Sequence, residues 1–251
     1  MFTRVKTAKE IAHLKESGRI LATVLDELRK KSAAGMTPRD AALFARRELK
    51  ALGGEPAFLG FEGYPDVICI SVNEQVQHSI PDDRAFERGD IINYDFGVRV
   101  GGMITDAGIT VCVDNAFTED TTRLVEGTEK ALSAGIGMVK NGCRTGDITA
   151  AIEKTLKDYR LSIVRELVGH GVGHNLHEEP DIPNYGMKAG TGARLYSGMT
   201  VAIEPITTLG NEAIRELDDG WTFVTQDGSW SAQFEHTVLV TENGCEILTK
   251  I

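Results

Sequence analysis

The run Ile91-Ile92-Asn93-Tyr94-Asp95-Phe96-Gly97-Val98, the pair Gly101-Gly102 and the run Met103-Ile104-Thr105-Asp106-Ala107-Gly108-Ile109-Thr110-Val111 decide the fold of this chain. Period-two alternation puts Asn93, Asp95 and Gly97 on one face of the first run and Ile92, Tyr94, Phe96 and Val98 on the other, so Asp95 points away from the apolar side. The two glycines predict a hairpin turn, with the second run returning antiparallel and carrying its own carboxylate, Asp106. Side by side on paired strands, Asp95 and Asp106 would repel unless a cation sits between them. The alternative, two exposed strand aspartates, is one that β-strands disfavour.

Upstream of the hairpin the pattern is helical. Thr7-Ala8-Lys9-Glu10 has the form of a capping box, and Ile11, Leu14, Leu21, Val24, Leu25 and Leu28 recur at three-and-four spacing, which predicts a helix running to about Ala34-Gly35. Thr37-Pro38 starts a second helix and Gly53-Gly54 stops it. Val67 to Val72 reads as a strand, followed by a polar turn at Asn73-Glu74-Gln75 and by His78. Downstream, helices are predicted over 118–142 and 145–161. Strands follow over 199–206, with Glu204 facing opposite to Val201 and Ile203, over 221–224, and over 231–240, with Glu235 embedded in the run. The order is helices, acidic hairpin, helices, acidic strands, which reads as two related halves facing each other. No Pro- or Ser-rich linker divides them. The expectation is a single domain over 1–251 of α+β class, an antiparallel sheet with helices on its outside.

Composition narrows the function. With 41% hydrophobic and 25% charged residues in 251, the chain is of ordinary globular make-up. A formal charge of −10 and the lack of a basic cluster beyond Arg29-Lys30-Lys31 argue against nucleic acid and anionic membrane as partners. Four scattered cysteines with no CxxC pair argue against a zinc ribbon or a disulfide framework and fit a reducing cytoplasm. Neither a signal-type h-region nor a run of 18 apolar residues is present.

One further stretch has the make-up of a site. Val168-Gly169-His170-Gly171-Val172-Gly173-His174-Asn175-Leu176-His177-Glu178-Glu179-Pro180 gathers three histidines among three glycines, so that ring nitrogens and backbone can crowd a small ligand. Taken with the hairpin and the acidic strands, two Asp, one His and two Glu form a donor set for a pair of divalent cations. Hard oxygen ligands dominate, four negative charges balance two M²⁺, and bridging carboxylates hold such ions roughly 3.5 Å apart.

At these residues the chain resembles the type I methionine aminopeptidases, in the family with the pita-bread fold. The matching segments are Ser71-Val72-Asn73-Glu74 leading to His78-Ser79-Ile80-Pro81, the two aspartates, the histidine stretch, Gly198 to Pro205, and Ser231-Ala232-Gln233-Phe234-Glu235-His236-Thr237, in the family's order and spanning nearly the whole chain. The resemblance implies removal of N-terminal methionine from nascent chains with a small, uncharged second residue, by a monomer in the cytoplasm, with the ribosome as a candidate place of action. It implies that Asp95 chelates one of two cations (Co²⁺, Mn²⁺, Fe²⁺ or Zn²⁺), that Asp106 and Glu235 bridge both, and that His170 and Glu204 complete the other. It assigns His78 and His177 to catalysis and substrate binding without metal, with His177 as donor to the oxyanion and Glu204 as proton shuttle, and leaves His174 structural. Phe61, Tyr64, Cys69, Leu176 and Trp221 match the methionine pocket. Phe61 and Leu176 stand where well-studied members carry Tyr and Phe, and Phe58 where some carry Cys. The short run between His177 and Glu204 has no room for the helical insertion of the type II class.

Two competing readings share the fold. A peptidase that cuts before proline would use the same five ligands, but such enzymes usually carry an N-terminal domain for which this length leaves no space. A non-catalytic peptide-binding member would have lost ligands, and all five are present here.

Overall fold

The computed structural model describes residues 1–250. In chain order its elements are α1 (Ala8–Lys31), α2 (Pro38–Leu52), β1 (Glu55–Pro56), β2 (Ile68–Val72), β3 (Gln75–Gln77), β4 (Ile91–Val100), β5 (Met103–Cys112), α3 (Glu119–Ile136), α4 (Thr145–Asp158), β6 (Ser162–Ile163), β7 (Gly169–Gly171), β8 (Glu178–Ile182), β9 (Thr200–Ile203), β10 (Ile206–Thr208), β11 (Ile214–Glu216), β12 (Phe223–Thr225), β13 (Ser231–Gln233), β14 (His236–Val240) and β15 (Cys245–Ile247). All strand pairs are antiparallel.

Local chemistry sets the helix ends. Thr7 accepts from the Glu10 N–H while the Glu10 carboxylate accepts from the Thr7 N–H, the reciprocal pair that satisfies two orphan donors at an N-terminus. Thr37 and Asp40 repeat the device for α2, and Gly53, at φ 81°, closes that helix in the left-handed region. The helices are shorter than the apolar spacing predicts: α1 stops at Lys31, where Ser32 takes up extended backbone, and α3 stops at Ile136 with Gly137 as its cap.

Helix α1 lays Ile20, Leu21, Val24 and Leu28, and α2 lays Ala41, Ala45 and Leu49, into one buried cluster with Ile68, Ile92, Tyr94 and Phe96 of β2 and β4. Helices α3 and α4 do the same for β9, β13 and β14 through Leu124, Leu132, Ile148 and Ile152. Two helix-backed halves thus face each other across a third, smaller cluster that includes Tyr64, Cys69, Val172 and Leu176. This is the α+β pita-bread arrangement.

Two expectations are corrected. The hairpin register pairs Val100 with Met103, which sets Asp95 opposite Gly108 and Asp106 opposite Gly97. The two aspartates are therefore diagonal neighbours on one face rather than side by side, a spacing that leaves room between them. The predicted strands over 199–206 and 231–240 are each broken. β9 gives way to β10 at Glu204-Pro205, and β13 to β14 at Phe234-Glu235. Proline has no N–H for a ladder bond, and at both breaks the chain passes between a three-stranded sheet (β13-β10-β6) and a five-stranded one (β15-β14-β9-β7-β8).

Candidate metal centre and substrate cavity

Each break frees a glutamate from the ladder and turns it inward. Glu204 and Glu235 meet Asp95 and Asp106 from the hairpin and His170 from β7, all five buried. Ligand atoms of Asp95, Asp106 and Glu235 lie within 4.8 Å of one another, and so do those of His170, Glu204 and Glu235. Glycines on both sides of His170 let β7 sit this tightly: a Cβ at Gly169 would stand 2.6 Å from the Ala202 carbonyl oxygen, and one at Gly171 2.6 Å from that of Glu179.

The protein leaves part of this cluster unsatisfied. Asp95 Oδ1, Asp106 Oδ1 and Glu235 Oε1 are buried without a hydrogen-bond partner. Burial pushes the Asp95 carboxyl up to about 7. It raises Asp106 and Glu235 well above the ordinary range, with repulsion from the neighbouring carboxylates adding to the effect, and Glu204 similarly through burial and Asp95. His170 is pushed down to about 3, first by burial and then by His177, so its ring is neutral. Its Nδ1 lies 2.9 Å from the Gly171 carbonyl oxygen, which can only accept, so the ring proton sits on Nδ1. The Nε2 lone pair is then aimed at Glu204 Oε1, 3.5 Å away. Two electron-rich atoms held face to face, beside three unpartnered carboxylate oxygens, fit divalent cations and little else.

The surrounding cavity has a volume of about 260 Å³ and is lined by all twelve residues predicted for the site. The Tyr64 hydroxyl shares its one proton between the backbone carbonyls of Ile68 and Ser79, 3.1 and 2.9 Å away, leaving its ring as apolar wall. Trp221 meets that ring edge-on at 5.1 Å, and Phe61 packs at 87° on His177. His177 stands at the cavity mouth with its ring centroid 4.5 Å from that of His170. A third cluster, Asp106, His170 and His177, also lies within 4.8 Å, so His177 is close to the centre as well as to the cavity. Burial lowers His78 to about 4 and lowers His177 too, so both act as neutral imidazoles at pH 7. His78 holds φ at 59°, a strained value for a residue with a Cβ.

Sequence reasoning missed the supports. Gln233, fully buried, donates to Glu235 Oε2 at 3.1 Å while its own Oε1 accepts from Asn93 at 2.8 Å. Thr237 Oγ1 bridges the Asp106 backbone, accepting from its N–H at 2.9 Å and donating to its carbonyl at 2.7 Å. Two-residue spacing from Glu235 was the available signal for both. Gln77 and Phe223 also line the cavity.

Comparison with known proteins accords with this geometry. Residues 12–242 match the model of metallopeptidase family M24. Methionine aminopeptidase 1 of Bacillus subtilis is 41% identical over 246 residues, 98% of each chain. The crystal structure of methionine aminopeptidase from Thermotoga maritima superposes with a TM-score of 0.97 at 43% identity, covering all of both chains. Prolidase from Pyrococcus furiosus shares the fold, with a TM-score of 0.79 at 24% identity over 98% of this chain and 65% of that one.

Proposed function

We propose, from the premise that this chain belongs to metallopeptidase family M24 and within it to the type I methionine aminopeptidases, that it uses two divalent cations to release methionine from nascent chains whose second residue is small and uncharged. The observation that carries this reading is the set of unpartnered, buried carboxylate oxygens around the His170 lone pair at the end of an apolar cavity.

Asp95 would hold one cation, Asp106 and Glu235 would bridge the pair, and His170 with Glu204 would complete the second. When bound, such ions offset the carboxylate repulsion, acidify water and polarise the scissile carbonyl. The protein's own groups do the rest. The methionine side chain enters between Phe61, Tyr64, Cys69, Leu176 and Trp221, where its length and its sulfur contacts with aromatic rings favour it. Glu204 takes a proton from water as the C–O bond forms and returns it to the departing amine as the C–N bond breaks. His177, neutral and carrying one N–H, donates to the carbonyl oxygen as charge develops there. His78 holds the amide of the second residue. Four free cysteines and no disulfide accord with the reducing cytoplasm, where nascent chains are the substrate; no described helix is long and apolar enough to cross a membrane. Oxygen and imidazole donors accept Mn²⁺, Fe²⁺, Co²⁺ and Zn²⁺, and availability decides among them.

The test is a release assay on Met-Ala-Ser and Ala-Pro-Ala, with each metal added back to chelated protein. Methionine release alone is the expected result. Cleavage of the proline peptide instead identifies a proline-directed enzyme, and cleavage of neither identifies a binding protein.

A further inference from the structure

The loop from Val172 to His177 carries both Leu176 of the pocket wall and His177 of the reaction, and what fixes it lies behind it. Glu178 is buried, and its Oε1 accepts from the backbone N–H groups of His174 and Asn175, both at 2.9 Å, closing the turn that ends in His177. Its Oε2 faces Lys6 Nζ at 3.4 Å, with the two side chains 2% and 0% exposed. Lys6 also donates to Thr3 Oγ1 at 2.7 Å, and Thr3 Oγ1 donates onward to the Thr200 carbonyl at 3.3 Å. The segment bearing Thr3 and Lys6 is strapped across the loop by backbone bonds from Thr3 to the Glu179 carbonyl, 2.6 Å, and from Lys6 to that of Gly198, 2.8 Å. A second tie joins Glu10 Oε1 to His174 Nε2 at 2.7 Å.

Sealing two opposite charges from water is a poor way to stabilise a fold, since apolar side chains of equal volume often do as well or better. Orientation is what the pair provides here. One carboxylate oxygen gathers two N–H groups and the other takes the ammonium, an arrangement no apolar pair can make. We infer that Lys6 and Glu178 are positioning residues for catalysis, their ion pair setting the loop that presents His177 to the scissile carbonyl and Leu176 to the methionine side chain. The inference rests on the role given to His177 above.

The experiment compares kcat and KM on Met-Ala-Ser for metal-loaded full-length protein, for Lys6→Met, for Glu178→Gln and for the double variant, with metal content and Tm measured on each. Each single variant is expected to lose about tenfold or more in kcat at unchanged metal content, the scale of a misplaced transition-state donor. In Lys6→Met the carboxylate is left unpaired and pulls the turn toward water; in Glu178→Gln the amide N–H₂ is set against the ammonium. The double variant lacks the ion pair altogether, so its loss in kcat is expected to match the larger single-variant loss rather than the product of the two. If Lys6→Met does not fold, Glu178→Gln and the double variant decide. Single variants with wild-type kcat and only a lowered Tm overturn the inference, as do additive losses or losses that track metal content. A wild-type protein that releases no methionine with any metal overturns the proposed function first and this inference with it.

Discussion

In the absence of metal, neutralising one ligand should make this protein more stable. Asp95 is 5% exposed and its carboxyl is raised by burial from an ordinary 3.8 to about 7. A folded-state value above the ordinary one means that the associated stability is complete below about pH 4 and is lost as the pH rises through about 7. At pH 8 the chelated protein must keep the group ionised and dry, a difference worth about 4 kcal/mol at roughly 1.4 kcal/mol per tenfold change in proton affinity. Asp95→Asn keeps the shape and cannot ionise, and it relieves repulsion on Asp106, Glu204 and Glu235, each of which Asp95 pushes upward. Thermal unfolding in chelator at pH 8 is then expected to give a Tm on the order of 10 °C higher for Asp95→Asn than for wild type, with the gap closing toward pH 4. Saturating Mn²⁺ or Co²⁺ should reverse the order, because the wild type, with its full ligand set, gains more binding energy than the variant. A variant that melts no higher than wild type at pH 8 in chelator, or a gap independent of pH, refutes the argument that burial of an unpaired carboxylate is what the cations offset.

Asp106→Asn and Glu235→Gln should each abolish turnover and lower the metal content of purified protein, since each carboxylate is assigned to both ions; a variant holding two ions at full activity would defeat the assignment. His177→Ala and His78→Ala should keep their metal and lose roughly 10²-fold or more in kcat; stoichiometric metal loss in the His177 variant would make it a ligand, which its place in the third cluster allows. Gln233→Leu, which removes the bond to Glu235, should weaken metal binding by roughly 10- to 100-fold in a titration against a competing chelator, and unchanged affinity would show that Glu235 is oriented by other contacts. Peptides separate the two subsites: Met-Ala-Ser should exceed Met-Lys-Ser sharply in kcat/KM and norleucine-Ala-Ser by only roughly 10- to 200-fold at most, whereas a Leu-Ala-Ser rate equal to that of Met-Ala-Ser would mean that Phe61 and Leu176 have reshaped the pocket.

Much of this was legible in residue order. Threonines three residues ahead of Glu10 and Asp40 marked helix starts, and Gly101-Gly102 marked the turn, because these signals act over a few residues and tertiary packing does not override them. The face of Asp95 followed from alternation alone. The register was also within reach: a turn centred on Gly101-Gly102 pairs residue 95 with 108, so the diagonal placement of Asp106 follows once the turn is taken literally. Pro205 likewise marked a break at Glu204 that the apolar run around it concealed. What no local pattern could disclose are pairings across long separations, such as Lys6 with Glu178 or Asn93 with Gln233, 140 residues apart, which exist only because two halves close on each other. The left-handed backbone of His78 belongs to the same class, since that conformation is uncommon for a residue with a Cβ and no neighbour in sequence dictates it.

The breaks at Glu204 and Glu235 also impose an order on synthesis. The hairpin with Asp95 and Asp106 leaves the ribosome early and can form at once, its strands being joined by a two-residue turn. Glu235 follows after more than half of the chain's length, and it is drawn from the ribbon β13–β14 that pairs back onto β9 and β10. Until then a growing chain displays an acidic hairpin face with no opposite wall to cover it. The last carboxylate to be translated is the one that reaches across to the first half, so the candidate metal centre is complete only once Glu235 has emerged and β13–β14 has paired back.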